Sequence, residues 1–183
     1  MNAPATALPA RVPVALFQAL TLDDGRHVIA RPLLPQDEAA EQAFVMALSA
    51  TSRYRRFHVG LQRLPPSALE RLVHIDQREH VALVVHEPGD DDEPLLVADA
   101  RYVKNGAASA EFAIAVADGW QGRGLGRRLM RLLARHAARH GVATLSGDVL
   151  ADNTPMLRML EGLGAELAPR DDEPGVWLAT FRL

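Results

Sequence analysis

Cysteine is absent from this 183-residue chain. That excludes disulfides, thiolate nucleophiles and cysteine-ligated zinc or iron–sulfur centres, although it does not set the compartment. Lysine is almost absent too: Lys104 stands alone against 19 arginines, a bias that genomic base composition explains. Aromatics make up 5% of the residues, so any core must be aliphatic. No apolar run approaches the roughly 18 residues that a membrane-crossing helix requires. Net charge is −3, which argues against a molecule built as a whole to bind nucleic acid or a membrane surface.

With 48% hydrophobic residues, the chain can bury a sizeable core and fits one domain better than two. Residues 1–26 are rich in alanine and proline and lack a basic segment followed by a clean apolar run. They read as a partly ordered extension, not a signal peptide, in front of one domain spanning 27–183. A cytoplasmic location is the default expectation.

Periodicity sketches the domain. Asp24-Gly25 is a turn signal before a strand from His27 to Leu33. Residues 35–50 carry Ala40, Phe44 and Ala47/Leu48 at helical spacing. Residues 52–65 read as loop, and "PPSALERLVHI" as a short helix opened by Pro66 and a Ser67…Glu70 capping box. Three strand-like runs follow at 80–86, 95–103 and 110–116, the first two joined by an acidic loop that reads as a solvated hairpin tip. A helix then shows an apolar stripe of Leu125, Leu129, Leu132/Leu133 and Ala137, stopped by Gly141. "VATLSGDVL" is a strand; Asn153 or Thr154 caps a helix with Pro155 in its first turn, and "GVWLATFRL" is a last strand. The fold class is α+β: a mixed, mainly antiparallel sheet flanked by helices, with one βαβ crossover after the meander.

At that crossover stands "DGWQGRGLGRRLM", residues 118–130. Glycines between a strand and a helix let backbone N–H groups approach phosphate oxygens, and the helix start adds positive potential. The dinucleotide fingerprint fails because Arg127 occupies the third glycine position counted from Gly122. The Walker pattern fails because Leu125-Gly126 stand where Lys-Ser/Thr is required after Gly119 and Gly124. A third pattern, Q/R-x-x-G-x-G/A, fits Gln121, Gly122, Arg123, Gly124, Leu125 and Gly126. A tight turn without a ligand is the plainer alternative for the loop taken by itself.

Gln121-x-x-Gly124-x-Gly126 after a strand, with "N-x-x-M-x-x-M-L-x-x-L-G" downstream, resembles the GNAT superfamily of acyl-CoA-dependent N-acyltransferases over residues 27–183. The resemblance implies that acetyl-CoA is the cosubstrate, its pyrophosphate wrapped by the loop amides. It also implies that the backbone of Ile114, Ala115 and Val116 holds pantetheine and that Asn153 lies beside the CoA arm. The stretches 49–85, 110–130 and 152–165 further resemble the acyltransferase domain of bacterial Pat-type protein lysine acetyltransferases. That implies a protein lysine as acceptor, with a small-molecule amine and a non-catalytic CoA-binding regulatory module as alternatives.

Along "AEFAIAV", Phe112, Ile114 and Val116 share one face while Glu111, Ala113 and Ala115 share the other. Glu111 is the candidate general base, and its position matches the glutamate that the resemblance assigns to that role. A solvated or salt-bridged strand glutamate is the plainer alternative without it. Many superfamily members carry a thiolate-protonating tyrosine at the position of Leu160, so no general acid is assigned. Arg123, Arg127, Arg131, Arg135 and Arg139 form a slanting basic stripe, most simply a solvated face. Its first turn, Arg123 and Arg127, is placed to offset CoA phosphates. His136 and His140 have zinc-like spacing, but Ala137 stands where a metalloprotease helix needs glutamate, and no metal is expected.

Overall fold

The computed structural model describes residues 14–88 and 95–183. Half of the expected N-terminal extension and most of the acidic loop therefore lie outside the described residues. Eight strands form one sheet in the order β1-β2-β3-β4-β5-β6-β8-β7. In chain order they are β1 (Gln18–Thr21), β2 (His27–Pro32), β3 (His80–His86), β4 (Leu96–Lys104), β5 (Ser109–Val116), β6 (Thr144–Leu150), β7 (Glu166–Pro169) and β8 (Val176–Arg182). Every neighbouring pair is antiparallel except β5 and β6, which are parallel. The helices are α1 (Glu38–Ala47), α2 (Ala50–Phe57), α3 (Pro66–Val73), α4 (Leu125–Arg139) and α5 (Thr154–Glu161). The meander β3-β4-β5 and the crossover β5-α4-β6 are those the apolar patterns predict.

Two apolar layers sandwich the sheet. Leu125, Leu129, Leu132, Leu133 and Ala137 of α4 pack with Phe112, Leu145 and Val149 on one face. Phe44 and Val45 of α1 and Leu69 and Val73 of α3 pack with Ala82, Val84 and Ala115 on the other. In β3, Val81, Leu83 and Val85 serve the first layer while Ala82 and Val84 serve the second. Burial on both faces is why "HVALVVH" reads as a continuous apolar run.

Three expectations are corrected. Residues 52–65 are not all loop, because Ala50–Phe57 is helical. That helix has no fully buried residue, so apolar periodicity could not reveal it. Polar bonds hold it instead: the Ser49 hydroxyl accepts from the Ser52 amide at 3.1 Å, and Arg53 donates to the carbonyls of Met46, Leu48 and Leu61. The helix predicted over 35–50 ends at Ala47, where Leu48 turns extended and buries its side chain. The Ser67…Glu70 box does not form; Pro65 is the N-cap and no side chain caps α3. The short strands β1 and β7, half-exposed along their length, extend the predicted sheet. β1 brings residues 18–21 of the predicted extension into pairing with β2.

The parallel pair is brief. Ser109–Glu111 run beside Thr144–Ser146, after which β5 continues along β4 and β6 along β8. At the parting, a Cβ on Gly147 would stand 2.8 Å from two Phe112 ring carbons and 2.9 Å from the Phe112 carbonyl oxygen. Glycine is therefore the residue that lets β6 lie this close to Phe112 where the two strands part.

Beneath α1 and α2 lies a buried ionic cluster. Arg101 donates to Asp99 at 2.9 and 3.1 Å, to Glu41 at 3.2 Å and to the Leu72 carbonyl at 2.9 Å. Arg56 reaches the same Asp99 oxygen at 3.3 Å. Burial first, and then the Asp99 charge, push the Glu41 carboxyl up to about 8 against the pull of Arg101 and Arg56. Folding thus shifts Glu41 toward its protonated form relative to the unfolded chain, whose carboxyl titrates near 4.5.

Two outcomes are expected. Gly147→Ala should lower unfolding free energy by about 1–3 kcal/mol, the usual range for overpacking, read by urea denaturation. Because the folded pKa of Glu41 lies above the unfolded one, its contribution is complete below about 4.5 and lost as pH rises through about 8. Glu41→Gln, which keeps a neutral group, should flatten that decline; an unchanged profile of melting temperature between those pH values would refute the assignment.

Candidate active site

Where β5 and β6 part, the chain leaves a cleft of about 620 Å³. One lip is β5 from Glu111 to Val116; the other is Asp148 and Val149 of β6 with the start of α5. Beyond Glu111, β5 has no ladder partner on the β6 side. An edge of this kind can hydrogen-bond an extended ligand. Ile114, Ala115 and Val116 lie on it, and Asn153 stands across the cleft as N-cap of α5.

The glycine loop closes one end. Gly122 and Gly124 have φ of 74° and 77°, the left-handed region that glycine adopts without strain. Gly126 faces α5, and a Cβ there would sit 3.2 Å from the Met159 sulfur. Gln121 does not hang free: its amide donates to the Val116 carbonyl at 3.0 Å and to the Ser52 hydroxyl at 3.3 Å. Asp118 ties the same region to α2, accepting from the Ser49 amide and hydroxyl and the Ser52 hydroxyl at 2.8–2.9 Å. Those bonds outweigh burial and hold its carboxyl below the usual range.

The structure sorts the two first-turn arginines. Gly122, Gly124, Leu125, Gly126 and Arg127 line the cleft. Arg127 is exposed and has no ion-pair partner among the described residues. Arg123 turns away to the β1–β2 hairpin, pairing with Asp24 and donating to the Gly119 carbonyl at 3.1 Å. Asp23 of that hairpin pairs with Arg128 at 3.0 Å and lines the cleft beside Gly124.

The loop fits a pyrophosphate on three counts: the amides around two left-handed glycines, the α4 start behind them, and an unpaired guanidinium. The split fits an extended amide-bearing arm such as pantetheine, because β5 offers unladdered backbone there. Acetyl-CoA is thus compatible with the residues present.

On the opposite side of the sheet from α4, register places Glu111 beside Val103, and Ala113 and Ala115 beside Arg101 and Asp99. Glu111 is exposed and lines the cleft, with no side-chain bond among the described residues. Asp148 is a residue that motif reading missed. It lies two positions past Ser146, the neighbour of Glu111, so strand alternation puts both carboxylates on one face. Arg170 bonds Asp148 at 3.2 and 3.3 Å but is shared with Asp172 at 2.8 and 3.0 Å. The three groups together retain one negative charge.

Helix α2 supplies the rest of this wall, and its residues were missed because the helix was. Arg55 reaches the Asp152 carbonyl at 3.0 Å and its carboxylate at 3.5 Å, joining α2 to the turn before α5. Arg56 is spent on Asp99. His58 closes α2 in a left-handed conformation, φ 53° and ψ 20°, which costs a non-glycine residue about 1 kcal/mol. Leu160, the position at which a tyrosine acid would stand, is 0% exposed in the α4-side core.

Residues 51–165 match the acetyltransferase (GNAT) family. An acetyltransferase of Pseudomonas aeruginosa is 36% identical over 146 residues, covering 79% of this chain and 77% of that protein. The acetyltransferase Pat of Mycolicibacterium smegmatis is 34% identical over 143 residues, covering 77% of this chain but 42% of the relative. The chain therefore spans under half of that second protein. The crystal structure of the GNAT domain of Streptomyces lividans PAT superposes with a TM-score of 0.85 at 27% identity, covering 94% of this chain and all of that one. With its sheet, split and glycine loop in place and more than half its length matched, this chain belongs to the GNAT acetyltransferase family, an acetyl-CoA-dependent N-acetyltransferase.

Proposed function

We propose that the chain acetylates the side-chain amine of protein lysines, with Glu111 as the general base and Asp148 as the second carboxylate that receives the cationic acceptor. The observation that carries this reading is the presence of these carboxylates on one face of the split, where the nearby guanidiniums of Arg55 and Arg56 are held by Asp152 and Asp99. Likeness to two Pat proteins supports lysine over a small amine.

Bound acetyl-CoA supplies the activated acetyl group as a thioester. Everything else falls to the chain. A lysine ammonium, pKa ~10.4, is neutral in roughly one molecule in a few thousand at pH 7. It must therefore shed a proton, and Glu111 is the exposed acceptor for it at the near end of the unladdered edge. Before that step, the net negative charge of Asp148, Arg170 and Asp172 favours the ammonium form in the cleft. Backbone N–H groups of β5 beyond Glu111 are placed to polarise a carbonyl laid along the strand. Ala113 and Ala115 keep that strip low, leaving room beside the carboxylate.

Glu111→Gln should lower kcat by about 10²–10⁴-fold, the range for loss of a general base, with acetyl-CoA affinity unchanged by calorimetry. Equal turnover would remove Glu111 from the mechanism. Asp148→Asn should raise the acceptor KM roughly five-fold, the equivalent of ~1 kcal/mol for a screened surface charge, with a smaller change in kcat. Arg127→Ala should weaken CoA binding and flatten its salt dependence, while Arg123→Ala should not, since its charge is already paired. Mass spectrometry of a lysate incubated with labelled acetyl-CoA should find label on protein lysines and lose it with Glu111→Gln. Label on small amines alone would favour that acceptor class, and tight CoA binding with no label anywhere would favour a regulatory module.

A further inference from the structure

The turn between β1 and β2 brings two aspartates against the glycine loop. The Asp23 amide donates to the Arg123 carbonyl at 3.1 Å, so the backbone seats the turn on the loop. The Asp24 carboxylate is used up there: it bridges Arg123 and, at 3.5 Å, Arg26. Asp23 is placed differently. Its side chain is 63% exposed, it lines the cleft, and among the described residues its carboxylate pairs with Arg128 alone, at 3.0 Å.

Both tips of that pair lie over Gly124. A Cβ on this glycine would stand 2.6 Å from Nη1 of Arg128 and 2.9 Å from Cγ of Asp23. Arg128 does not itself line the cleft, whereas Gly124 and Asp23 do. The carboxylate is therefore what the cleft meets, with the guanidinium behind it. Apart from Asp23, Arg128 has only a long 3.4 Å contact from Nη1 to the Gly124 carbonyl. Its Nη2 has no partner among the described residues.

A carboxylate in this place does nothing for the loop amides. The N–H groups of residues 122–127 have no acceptor among the described residues, so Asp23 caps none of them. It stands beside donors suited to an anion, where it opposes the arrival of another one. What it supplies is a counter-charge. Arg26, Arg123, Arg127 and Arg128 crowd the loop against Asp23 and Asp24, an excess of two positive charges. An exposed ion pair such as Asp23–Arg128 is weak, whereas a phosphate offers a guanidinium two parallel charge-assisted bonds.

We propose that Arg128 is a second phosphate-holding residue of the cosubstrate site, kept in reserve by Asp23, and that a CoA phosphate displaces the carboxylate and takes over the guanidinium. The assignment rests on the glycine loop as the phosphate cradle. Exchanging one counter-ion for another keeps the guanidinium paired in both states. The competition also lowers affinity for CoA, so Asp23 speeds departure of the spent cosubstrate.

Calorimetry of CoA binding to the full chain tests this, with 3′-dephospho-CoA as a second ligand. Asp23→Asn should tighten CoA about three- to five-fold, and Arg128→Gln should weaken it about ten-fold at low salt, a loss that shrinks as salt rises. A loss that disappears with 3′-dephospho-CoA assigns Arg128 to the 3′-phosphate; a loss that remains assigns it to the pyrophosphate. The sign of the Asp23→Asn effect separates this role from a clamp that merely fastens the hairpin. Weaker or unchanged binding in that variant, or a salt-independent loss in Arg128→Gln, would overturn the proposal. Arg127→Ala is the control for the cradle. If it weakens CoA binding while Arg128→Gln does not, the role of Arg128 fails and the cradle stands; if neither variant changes affinity, both fail.

Discussion

Past Ser146 the two parallel strands lose each other, and the ring and carbonyl of Phe112 fill the space against Gly147 where a side chain would otherwise stand. A sheet that opens in its middle leaves backbone donors and acceptors without ladder partners, and such groups are costly unless water or a ligand meets them. The cleft, its unladdered edge and the placing of a carboxylate on each lip all follow from that separation. So does the position of the glycine loop, since β5 runs on from the split directly into it. A ligand laid in the gap takes the place that a strand would have taken.

The two faces of the sheet divide the labour. On the α4 side, packing is mainly aliphatic and backs the helix that starts behind the loop. On the α2 side, polar bonds predominate, from the Asp118 hub through Arg53 to the Arg56–Asp99 pair. Asp118 joins the sides, because one carboxylate fixes both the end of β5 and the beginning of α2. The wall that α2 gives the cleft is thereby tied to the glycine loop.

Much of this was legible in the sequence wherever burial imposed a period. Strands β3, β4 and β5 and helix α4 carry apolar residues at fixed spacing, and the loop carries glycines at positions that need left-handed backbone. The unreadable parts have physical reasons. Helix α2 buries no side chain completely, so its arginines and His58 could not be placed at the cleft. Asp148 belongs to no motif, and its partner Arg170 lies 22 residues away in a loop. The arginine stripe looks uniform as text; Asp24, nearly a hundred residues earlier, is what separates Arg123 from Arg127. The GNAT likeness identified the loop and β5, but it said nothing of the second carboxylate.

The buried charges beneath α1 have an effect beyond stability. Asp99 and Arg101 alternate along β4 with Ala98, Ala100 and Tyr102, which face the aliphatic layer under α4. Were β4 to slip by one residue against its neighbours, a carboxylate and a guanidinium would be driven into hydrocarbon, and Tyr102 would leave its niche. Such a mispairing is far costlier than the cluster itself, so the charges act as a ratchet on strand alignment. Since β5 is aligned on β4, and β6 meets β5 where it does, one aspartate and one arginine of β4 decide which side chains look into the cleft.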